Sequence, residues 1–388
     1  MIVGKLSNSK VGKVMSKLYI QGQTIGIVGG GHLARMLTLT AHKLGLKVAI
    51  LDPLEHCQAS AVADWHIQGE YHNEVYLMQL NQMSDFIIFE YTSYVESQTL
   101  PLLKSLPQGL AVLELAHHRL DERRFLNESA VNIPPFEIVH NLVEVYEALE
   151  SIGFPCVLKT VRRTHTQDDY FEIKELSDVK NAQHLFKEGP CLLESEIPYS
   201  KEIRVSVVSN GEDAPVFFPI VEKKLLTGRL EGYYSNANLL REEQDEVYRI
   251  AEILSDSLAV QGILTIKMKI NEFGIIYVTG FEPTTLDDGI YSEVACSMSQ
   301  FEAHIRGLCG WPLPLVTVLG EWLTVPIRQA QYSLAVTQLP FQADWRFLFY
   351  GQKRAEFDEN SLLGHVLIPA EDRNEAIAKM ISSHIWND

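Results

Sequence analysis

The chain has 388 residues, with 33 Lys or Arg against 50 Asp or Glu, which gives a formal net charge of −17 at pH 7. This length predicts two or three domains, because domains typically contain about 100–200 residues. The acidic balance, without any Lys/Arg-rich block, excludes general nucleic-acid binding. The chain is 46% hydrophobic, which is typical of a globular protein, and no apolar run reaches the ~18–20 residues of a membrane helix. No membrane partner is therefore expected.

The cysteine pattern favours a reducing compartment. The five cysteines are odd in number, widely spaced and never arranged as C-x-x-C; they are Cys57, Cys156, Cys191, Cys296 and Cys309. This argues against a disulfide framework or a zinc knuckle and predicts a cytoplasmic location. Residues 1–17 carry four lysines but lack the apolar stretch of a signal peptide, and Met15 is an alternative start.

The first predicted elements form a strand–helix–strand unit. A short apolar run from Thr24 leads through three glycines into a helical pattern that Gly45 closes, and a second apolar run ends at Asp52. This order is typical of an open α/β sheet. Further strands are predicted at 85–89 and 109–114, so the first domain is expected to close near residue 113.

The rest of the chain predicts mixed and antiparallel structure. Expected elements, in chain order, are a strand after Pro134, a helix at Leu142–Ile152, strands at 156–159, 191–194, 202–208 and 215–221, a helix at 242–258, and a hairpin of 263–270 with 274–279. Residues 196–199 predict a hinge between two lobes. The run Gly310-Trp311-Pro312-Leu313-Pro314 predicts a boundary before a small, mostly β C-terminal domain.

The glycine turn allows two interpretations. Gly29-Gly30-Gly31-His32-Leu33-Ala34 satisfies G-x-G-x-x-A, and Asp52 stands at the spacing of a ribose-binding acid, as in dinucleotide-binding domains. The same turn also occurs where tight packing alone requires glycine. The hairpin-rich sequence after residue 113 favours the second interpretation.

Several collinear segments resemble the N5-carboxyaminoimidazole ribonucleotide synthetases of the ATP-grasp superfamily. They are I-G-I-V-G-G-G-H-L-A-R-M-L followed by L-D-P, A-H-H-R-L-D-E-R-R-F-L at 116–126, F-P-C-V-L-K-T at 154–160, Glu194 to Glu202, E-V-A-C-S-M-S-Q-F-E-A-H-I-R-G-L at 293–308 and L-G-H-V at 363–366. The resemblance implies an α/β fold with a three-domain ATP-grasp architecture. Its expected parts are an N-terminal extension (1–14), a Rossmann-like pre-ATP-grasp domain (15–113), a two-lobed α+β ATP-grasp domain (114–310, with lobes of about 130–195 and 196–310) and a small β-rich C-terminal domain (311–388).

The resemblance also implies an activity and its binding residues. Members of this family use ATP and magnesium to activate bicarbonate as carboxyphosphate and then carboxylate aminoimidazole ribonucleotide; they form dimers. Nucleotide-binding positions carried over are Arg119, Lys159, Glu194, Ser195, Glu196, Ile197 and Glu202, and substrate-binding positions are Gly31, His32, Leu33 and Glu90. Alternatively, Lys159 is a solvated strand end, and Glu202 pairs with Lys201 or Arg204.

Other family motifs are replaced. The glycine loop that would fold over ATP phosphates is absent, since no glycine occurs from Phe154 to Glu188, and Asp168-Asp169 adds negative charge there. The basic R-K-M-G-H run that helps to hold the substrate phosphate reads Ser361-Leu362-Leu363-Gly364-His365. Further drifted positions are Leu225, Thr284, Leu286 and Ile290.

The largest departures from the family pattern are at the positions where the resemblance implies metal ligands. Lys267 stands where the resemblance implies a metal-binding Glu, and Thr279 and Gly280 replace an Asn-Glu pair. Magnesium requires oxygen ligands, so an ammonium group there predicts no metal site. Glu282 could compensate only by a register shift, which the aligned Pro283 disfavours. Lys267 could instead contact phosphates directly, which would allow ATP binding without two-metal chemistry.

Three hypotheses remain at this point. The favoured one is a relative that keeps the fold but is catalytically impaired or inactive, with no residue assigned a catalytic role. The second is a working synthetase with compensating ligands. The third, a remote one, is an NAD-dependent oxidoreductase built on the glycine turn.

Overall fold

The computed structural model describes residues 17–94, 100–163, 169–228, 230–351 and 358–386, which form three β-sheets. The predictions about residues 1–14, the Met15 start and Asp168 lie outside the described residues. Strands and helices are numbered β1–β17 and α1–α10 in chain order.

The first sheet is parallel and has the strand order β3-β2-β1-β4. Its elements are β1 (Thr24–Val28), α1 (His32–Lys43), β2 (Lys47–Asp52), β3 (Trp65–Gln68), α2 (Glu74–Met83) and β4 (Phe86–Phe89). All five β1 residues are buried, as expected for a central strand. The predicted strand–helix–strand unit is confirmed.

The strand predicted at 109–114 is wrong. These residues begin α3 (Leu110–His117), which is followed by α4 (Arg119–Glu128). Gly109 has a φ of +93° and ends the preceding segment, and the run that follows is rich in the helix formers Ala, Leu and Glu. Leu113 packs into the core under the first sheet. A short apolar run alone does not distinguish a buried helix from a buried strand.

The second sheet is antiparallel, with the order β5-β8-β6-β7. Its elements are β5 (Phe136–Val139), α5 (Leu142–Ile152), β6 (Cys156–Thr160), β7 (Tyr170–Ile173) and β8 (Cys191–Ser195), with a 3₁₀ helix at Leu176–Glu188. Asn141 caps α5 by accepting from the backbone N–H groups of Val143 and Glu144. Sheet and helix enclose a separate core.

The third sheet has nine strands. Its first part comprises β9 (Lys201–Ser209), β10 (Val216–Phe217), β11 (Val221–Thr227), β12 (Leu230–Tyr234), α6 (Arg241–Leu258), β13 (Gly262–Ile270), β14 (Ile276–Glu282), α7 (Ser292–Ala295) and α8 (Gln300–Leu308). The hairpin and α6 are confirmed. The single strand predicted at 215–221 is wrong, because β10 ends at Phe217 and β11 begins at Val221. Pro219 lies in this gap and has no N–H for a ladder bond.

The C-terminal strands extend the same sheet. β12 pairs with β15, and the elements that follow are β15 (Trp322–Arg328), α9 (Gln329–Gln338), β16 (Arg346–Phe349), β17 (Leu362–Pro369) and α10 (Arg373–Ser382). The largest core joins α1, α8, Tyr350 and Leu367. This core packs the first sheet and α1 against α8 and the C-terminal residues Tyr350 and Leu367, whereas the second sheet keeps its separate core. The proposed domain boundaries remain predictions.

Candidate active site

Glu194 lies at the centre of the predicted nucleotide-binding residues. Its carboxylate is held between Lys159, at 2.8 Å from Nζ to Oε1, and Arg123, at 2.6 Å from Nε to Oε2. Burial by itself would raise the pKa of Glu194, but the charges of Arg123 and Lys159 outweigh it and lower the pKa to about 2. Burial lowers the pKa of Lys159. This small-lobe triad (Arg123, Lys159 and Glu194) is a closed, fully charged cluster.

Arg119 is also paired within the chain. Its Nη2 lies 2.6 Å from Oδ2 of Asp169, and its Nη1 donates to the backbone oxygen of Thr160 at 2.8 Å. Asp169 was expected to bring negative charge towards the phosphates. Arg119 neutralises that charge locally instead.

The hinge residues connect the two lobes. Glu196 forms an ion pair with Lys269 of β13, and the Lys269 ammonium lies 4.4 Å from the ring centre of Tyr199. Ser195 ends β8, and Ile197 is half-buried. Glu202 contacts Arg204 at 3.1 Å, which is the alternative that the sequence left open. The nucleotide-binding roles of these residues remain predictions.

Lys267 forms an ion pair with a carboxylate on the adjacent strand β14. Its Nζ lies 3.3 Å from Oε1 of Glu282, which also lies 3.8 Å from Nε of Arg163. Thr92 donates its hydroxyl to Oε2 of Glu282 at 2.7 Å. Burial would raise the pKa of Glu282, but Lys267 and Arg163 lower it, while burial lowers the pKa of Lys267. We call Lys267, Glu282 and Arg163 the hairpin triad.

The backbone beside this triad has no space for a longer side chain. Gly280 pairs with Lys267, whereas Val278 pairs with Met268, so Thr279 is the extra residue of a β-bulge. Gly280 has a φ of +155°, and a Cβ atom there would lie 3.0 Å from Oε1 of Glu122. The same Glu122 oxygen accepts from the Phe281 N–H at 3.0 Å. The space beside position 280 is therefore filled by a carboxylate from α4.

Three residues of the ion-pair network around Gly280 and Glu282 were not identified from the sequence. Arg163 contacts Glu122 at 3.0 Å as well as Glu282, and Arg123 donates to the backbone oxygen of Thr279. They come from α4 and from the segment that replaces the glycine loop. The only sequence signal was the dense run of acids and bases at 121–124, which does not specify partners.

The residues present do not fit a magnesium site. Glu282 is the carboxylate nearest to Lys267, and both of its oxygens already contact donors or cations. Within the described ranges, no group of three or more His, Cys, Asp or Glu residues could hold a metal ion. Magnesium needs near-octahedral oxygen ligands, and the two cations beside Glu282, Lys267 and Arg163, would repel it.

The glycine turn is filled by acidic side chains. The N–H of Gly30 donates to Asp52 at 2.8 Å, and Glu90 accepts from Gly31 at 2.9 Å and from Ala34 at 3.1 Å. A carboxylate thus occupies the anion position at the N-terminus of α1. A Cβ atom at Gly30 would lie 2.4 Å from Sγ of Cys57, so packing explains this glycine.

The predicted substrate-binding residues are mostly buried. Leu33 and Glu90 have at most 1% of their surface exposed, and His32 pairs with Asp287 of the loop after β14. Burial would lower the pKa of His32, but Asp287 raises it. These contacts connect the glycine turn to the large lobe. Whether they also bind substrate remains a prediction.

Comparisons with known proteins define the class first. A model of the ATP-grasp domain matches residues 124–301, and a model of the ribonucleotide synthetase preATP-grasp domain matches residues 22–112. The chain is therefore an ATP-grasp protein with a preATP-grasp domain. In the described residues, no helix is both long and apolar enough to cross a membrane.

Full-length relatives then define the family. The N5-carboxyaminoimidazole ribonucleotide synthase of Bacillus subtilis strain 168 is 29% identical over 378 residues, covering 96% of this chain and 99% of the relative. An ADP complex of an N5-carboxyaminoimidazole ribonucleotide synthetase superposes with a TM-score of 0.89 at 28% identity, over 96% of this chain and 99% of that one. The Staphylococcus aureus synthetase complexed with ADP gives 0.87 at 27%, over 95% and 99%. This chain belongs to the N5-carboxyaminoimidazole ribonucleotide synthase family.

Proposed function

We propose that this chain binds adenine nucleotides but carries out the family's carboxylation of aminoimidazole ribonucleotide very slowly or not at all. The observation that carries the proposal is the 3.3 Å contact between Lys267 and Glu282 at the implied metal position. Phosphoryl transfer of this kind depends on metal ions that neutralise the developing charge. A cation-paired carboxylate does not supply those ligands.

Nucleotide binding has separate support. Arg119, Lys159 and Glu194 occupy positions that the resemblance implies for nucleotide binding, and two of the similar solved structures are ADP complexes. The ammonium of Lys267 and the guanidinium of Arg163 lie together beside β13 and β14, and either could donate directly to a phosphate oxygen. Nucleotide binding in this arrangement needs no magnesium.

A fully active synthetase with compensating ligands is the second candidate. The observation that favours it is the pair of carboxylates, Glu122 and Glu282, that Arg163 holds next to Gly280. If Arg163 and Lys267 moved away on nucleotide binding, these acids could serve as metal ligands. The candidates differ in a single measurable quantity, the rate of substrate-dependent ADP release.

The activity test uses purified protein with ATP, magnesium, bicarbonate and aminoimidazole ribonucleotide. The Bacillus subtilis relative, assayed in parallel, is the positive control. We expect ADP release at least about 1,000-fold slower than the control, because metal and loop contributions of several kcal/mol are absent. A rate within tenfold of the control would contradict the proposal and establish the second candidate.

The binding test measures melting temperature with ATP, with and without magnesium. We expect ATP to raise the melting temperature equally in both conditions. Lys267→Glu should make the increase magnesium-dependent, because it places an acid beside Glu282. Lys224→Glu is the matched control, since Lys224 is an exposed lysine on β11 that pairs with Glu222 and not with Glu282. No effect of ATP on the wild-type protein would remove the nucleotide-binding part of the proposal.

We also propose a dimeric assembly and a cytoplasmic location. The resemblance implies a homodimer, which sedimentation velocity would test by a mass of about twice the 43.9 kDa of one chain. All five cysteines are free and buried, which fits the predicted cytoplasmic location.

A further inference from the structure

A buried histidine joins the glycine turn to two other regions of the chain. His32, the first residue of α1, is 7% exposed, and its Nε2 contacts Oδ1 of Asp287 in the loop after β14. The centre of its ring lies 5.0 Å from that of Tyr350, which follows β16, and 6.2 Å from that of His365 on β17. We call the pair of His32 and Asp287 the clasp. It lies where the first sheet, the large lobe and the C-terminal strands meet.

Each side of the clasp is also held by contacts of its own. In the glycine turn, Glu90 accepts from the N–H of Gly31 at 2.9 Å, and in the loop after β14, Gln300 donates to the backbone oxygen of Leu286 at 2.7 Å. Thr284 connects the two sides by donating its hydroxyl to the backbone oxygen of Glu90 at 3.0 Å. The clasp therefore adds a charged pair to a neutral contact between the turn and the loop.

Among the described residues, four titratable side chains act on His32 or lie beside its ring. Asp287 and Glu90 act on it through their charges, and burial raises the pKa of Glu90. Tyr350 and His365 are hydrogen-bonded to each other at 2.8 Å. Burial raises the pKa of Tyr350 well above its usual value of 10 and lowers that of His365 to about 4. Both are therefore neutral between about pH 6 and 9, where a histidine such as His32 changes its charge.

The partners of the clasp determine the direction of its pH dependence. Burial would lower the pKa of His32, but Asp287 and then Glu90 raise it above the usual value of 6.5. Burial would raise the pKa of Asp287, but His32, His365 and Arg328 lower it, so this carboxylate stays anionic. A histidine whose pKa is raised by folding contributes stability that is complete below pH 6.5 and is lost as pH rises through the raised value.

We propose that the clasp is a pH-dependent contact that holds the glycine turn against the loop after β14 and weakens as the solution becomes alkaline. Because Nε2 faces Asp287, the proton leaves from Nδ1, and the ion pair becomes a neutral hydrogen bond. Asp287 also lines a cavity of about 470 Å³ beside β12, β15 and β17, so the charge of one wall of that cavity depends on the proton of His32. The clasp contains no residue of either triad and needs neither nucleotide nor metal, so the protein alone is sufficient for the test.

The first test measures the pKa of His32 by NMR titration of the histidine ring signals, with the His32 signal identified by its loss in His32→Gln. We expect a value above 6.5 in the unmodified chain and a fall of at least about one unit in Asp287→Asn, because the buried ring then loses its main anionic partner. Asp64→Asn is the matched control, since Asp64 pairs with the exposed His42 at 2.8 Å, and it should leave the pKa of His32 unchanged. A pKa at or below 6.5, or no change in Asp287→Asn, would overturn the proposal.

The second test measures hydrogen exchange of the backbone amides at 29–34 and 286–290 at pH 6 and pH 8.5, corrected for the intrinsic pH dependence of exchange. We expect protection in both segments to fall by about tenfold at the higher pH, which corresponds to one unit of raised pKa. His32→Gln keeps a neutral hydrogen-bond donor, so its protection should change less than twofold. His42→Gln is the matched control and should behave like the unmodified chain.

Two outcomes of the exchange test would overturn the proposal. One is protection that stays constant between the two pH values in the unmodified chain. The other is an equal fall in the unmodified chain and in His32→Gln, which would assign the pH dependence to Glu90. Asp287→Asn, measured in the same way, takes the place of His32→Gln if the latter does not fold.

Discussion

The small-lobe triad and the hairpin triad each contain one Glu, one Arg and one Lys, but their ion-pair distances differ. Each holds one buried carboxylate between two cations, Glu194 between Arg123 and Lys159, and Glu282 between Lys267 and Arg163. The nitrogen–oxygen distances of the two ion pairs are 2.6 and 2.8 Å in the small-lobe triad and 3.3 and 3.8 Å in the hairpin triad. The side chains of Arg123 and Lys159 are 3% and 23% exposed, whereas those of Arg163 and Lys267 are 17% and 29% exposed. The first triad is therefore the more tightly closed, and each cation of the second is more accessible to an anionic ligand than its counterpart in the first.

The two triads also differ in how their residues relate to the family pattern. The small-lobe triad uses residues that match the family pattern, and its ion pairs stabilise the junction of α4, β6 and β8. At the hairpin triad, Lys267 stands where the resemblance implies a metal-binding acid, and the two cations are balanced by two carboxylates, Glu282 and Glu122. Neither cation is therefore left as an unpaired buried charge, which would destabilise the fold.

The largest loss of stability is expected when the small-lobe triad is broken. Arg123→Met should lower the free energy of unfolding by about 3 kcal/mol, because it leaves the buried Glu194 with one partner and breaks a buried pair. Arg124→Met is the matched control, since its guanidinium is exposed and pairs only with the exposed Asp121, and it should cost at most about 0.5 kcal/mol. Urea denaturation measures both. Equal losses in the two variants would show that the small-lobe triad is not structural.

A second prediction concerns the space beside the hairpin triad. Gly280→Ala should cost about 2 kcal/mol, because it adds a Cβ atom 3.0 Å from Oε1 of Glu122 at an unfavourable φ. Gly274→Ala, also at positive φ but with no atom nearer than 3.9 Å, should cost about 1 kcal/mol. The same denaturation measurement compares them. If Gly280→Ala cost no more than its control, Glu122 would not be filling the space beside position 280.

A third prediction concerns the pH dependence of the stability that the small-lobe triad provides. The pKa of Glu194 is lowered to about 2 in the folded protein, from a usual value of 4.5, so its ion pairs stabilise fully above pH 4.5 and are lost as pH falls towards 2. The stability difference between wild type and Arg123→Met should therefore shrink by about 1 kcal/mol per pH unit below pH 4.5. Denaturation at pH 7, 4.5 and 3 measures it. A constant difference over this range would contradict the lowered pKa.

The smallest loss of stability is expected when the hairpin triad loses Lys267. Lys267→Met should cost only about 1 kcal/mol, because Glu282 keeps Arg163 and the Thr92 hydroxyl, and because Lys267 is partly exposed to solvent. Lys224→Met, at a more exposed position on β11, is the control and should be nearly neutral. A loss as large as that of Arg123→Met would remove the distinction between the triads.

Local patterns in the sequence predicted many of the elements correctly. The β1–α1–β2 unit, α5, α6 and the β13–β14 hairpin follow from periodicity and turn residues, which act over a few positions. The errors at 109–114 and 215–221 occurred where an apolar run had no clear period or contained a proline. The positions Lys267, Thr279 and Gly280 were identified by collinear resemblance, without any knowledge of their contacts.

The sequence by itself determined that this chain has an ATP-grasp fold and that acids are missing at the implied metal positions. Only the tertiary structure decided what surrounds these positions. Glu122 accepts from the Phe281 N–H across 159 residues of sequence, and Arg163 contacts Glu122 across 41. Such partners depend on how distant elements pack, and burial and charge then set their pKa values and their availability to a ligand. A departure from a family motif can be recognised from the sequence, whereas the contacts around that position are created by the fold.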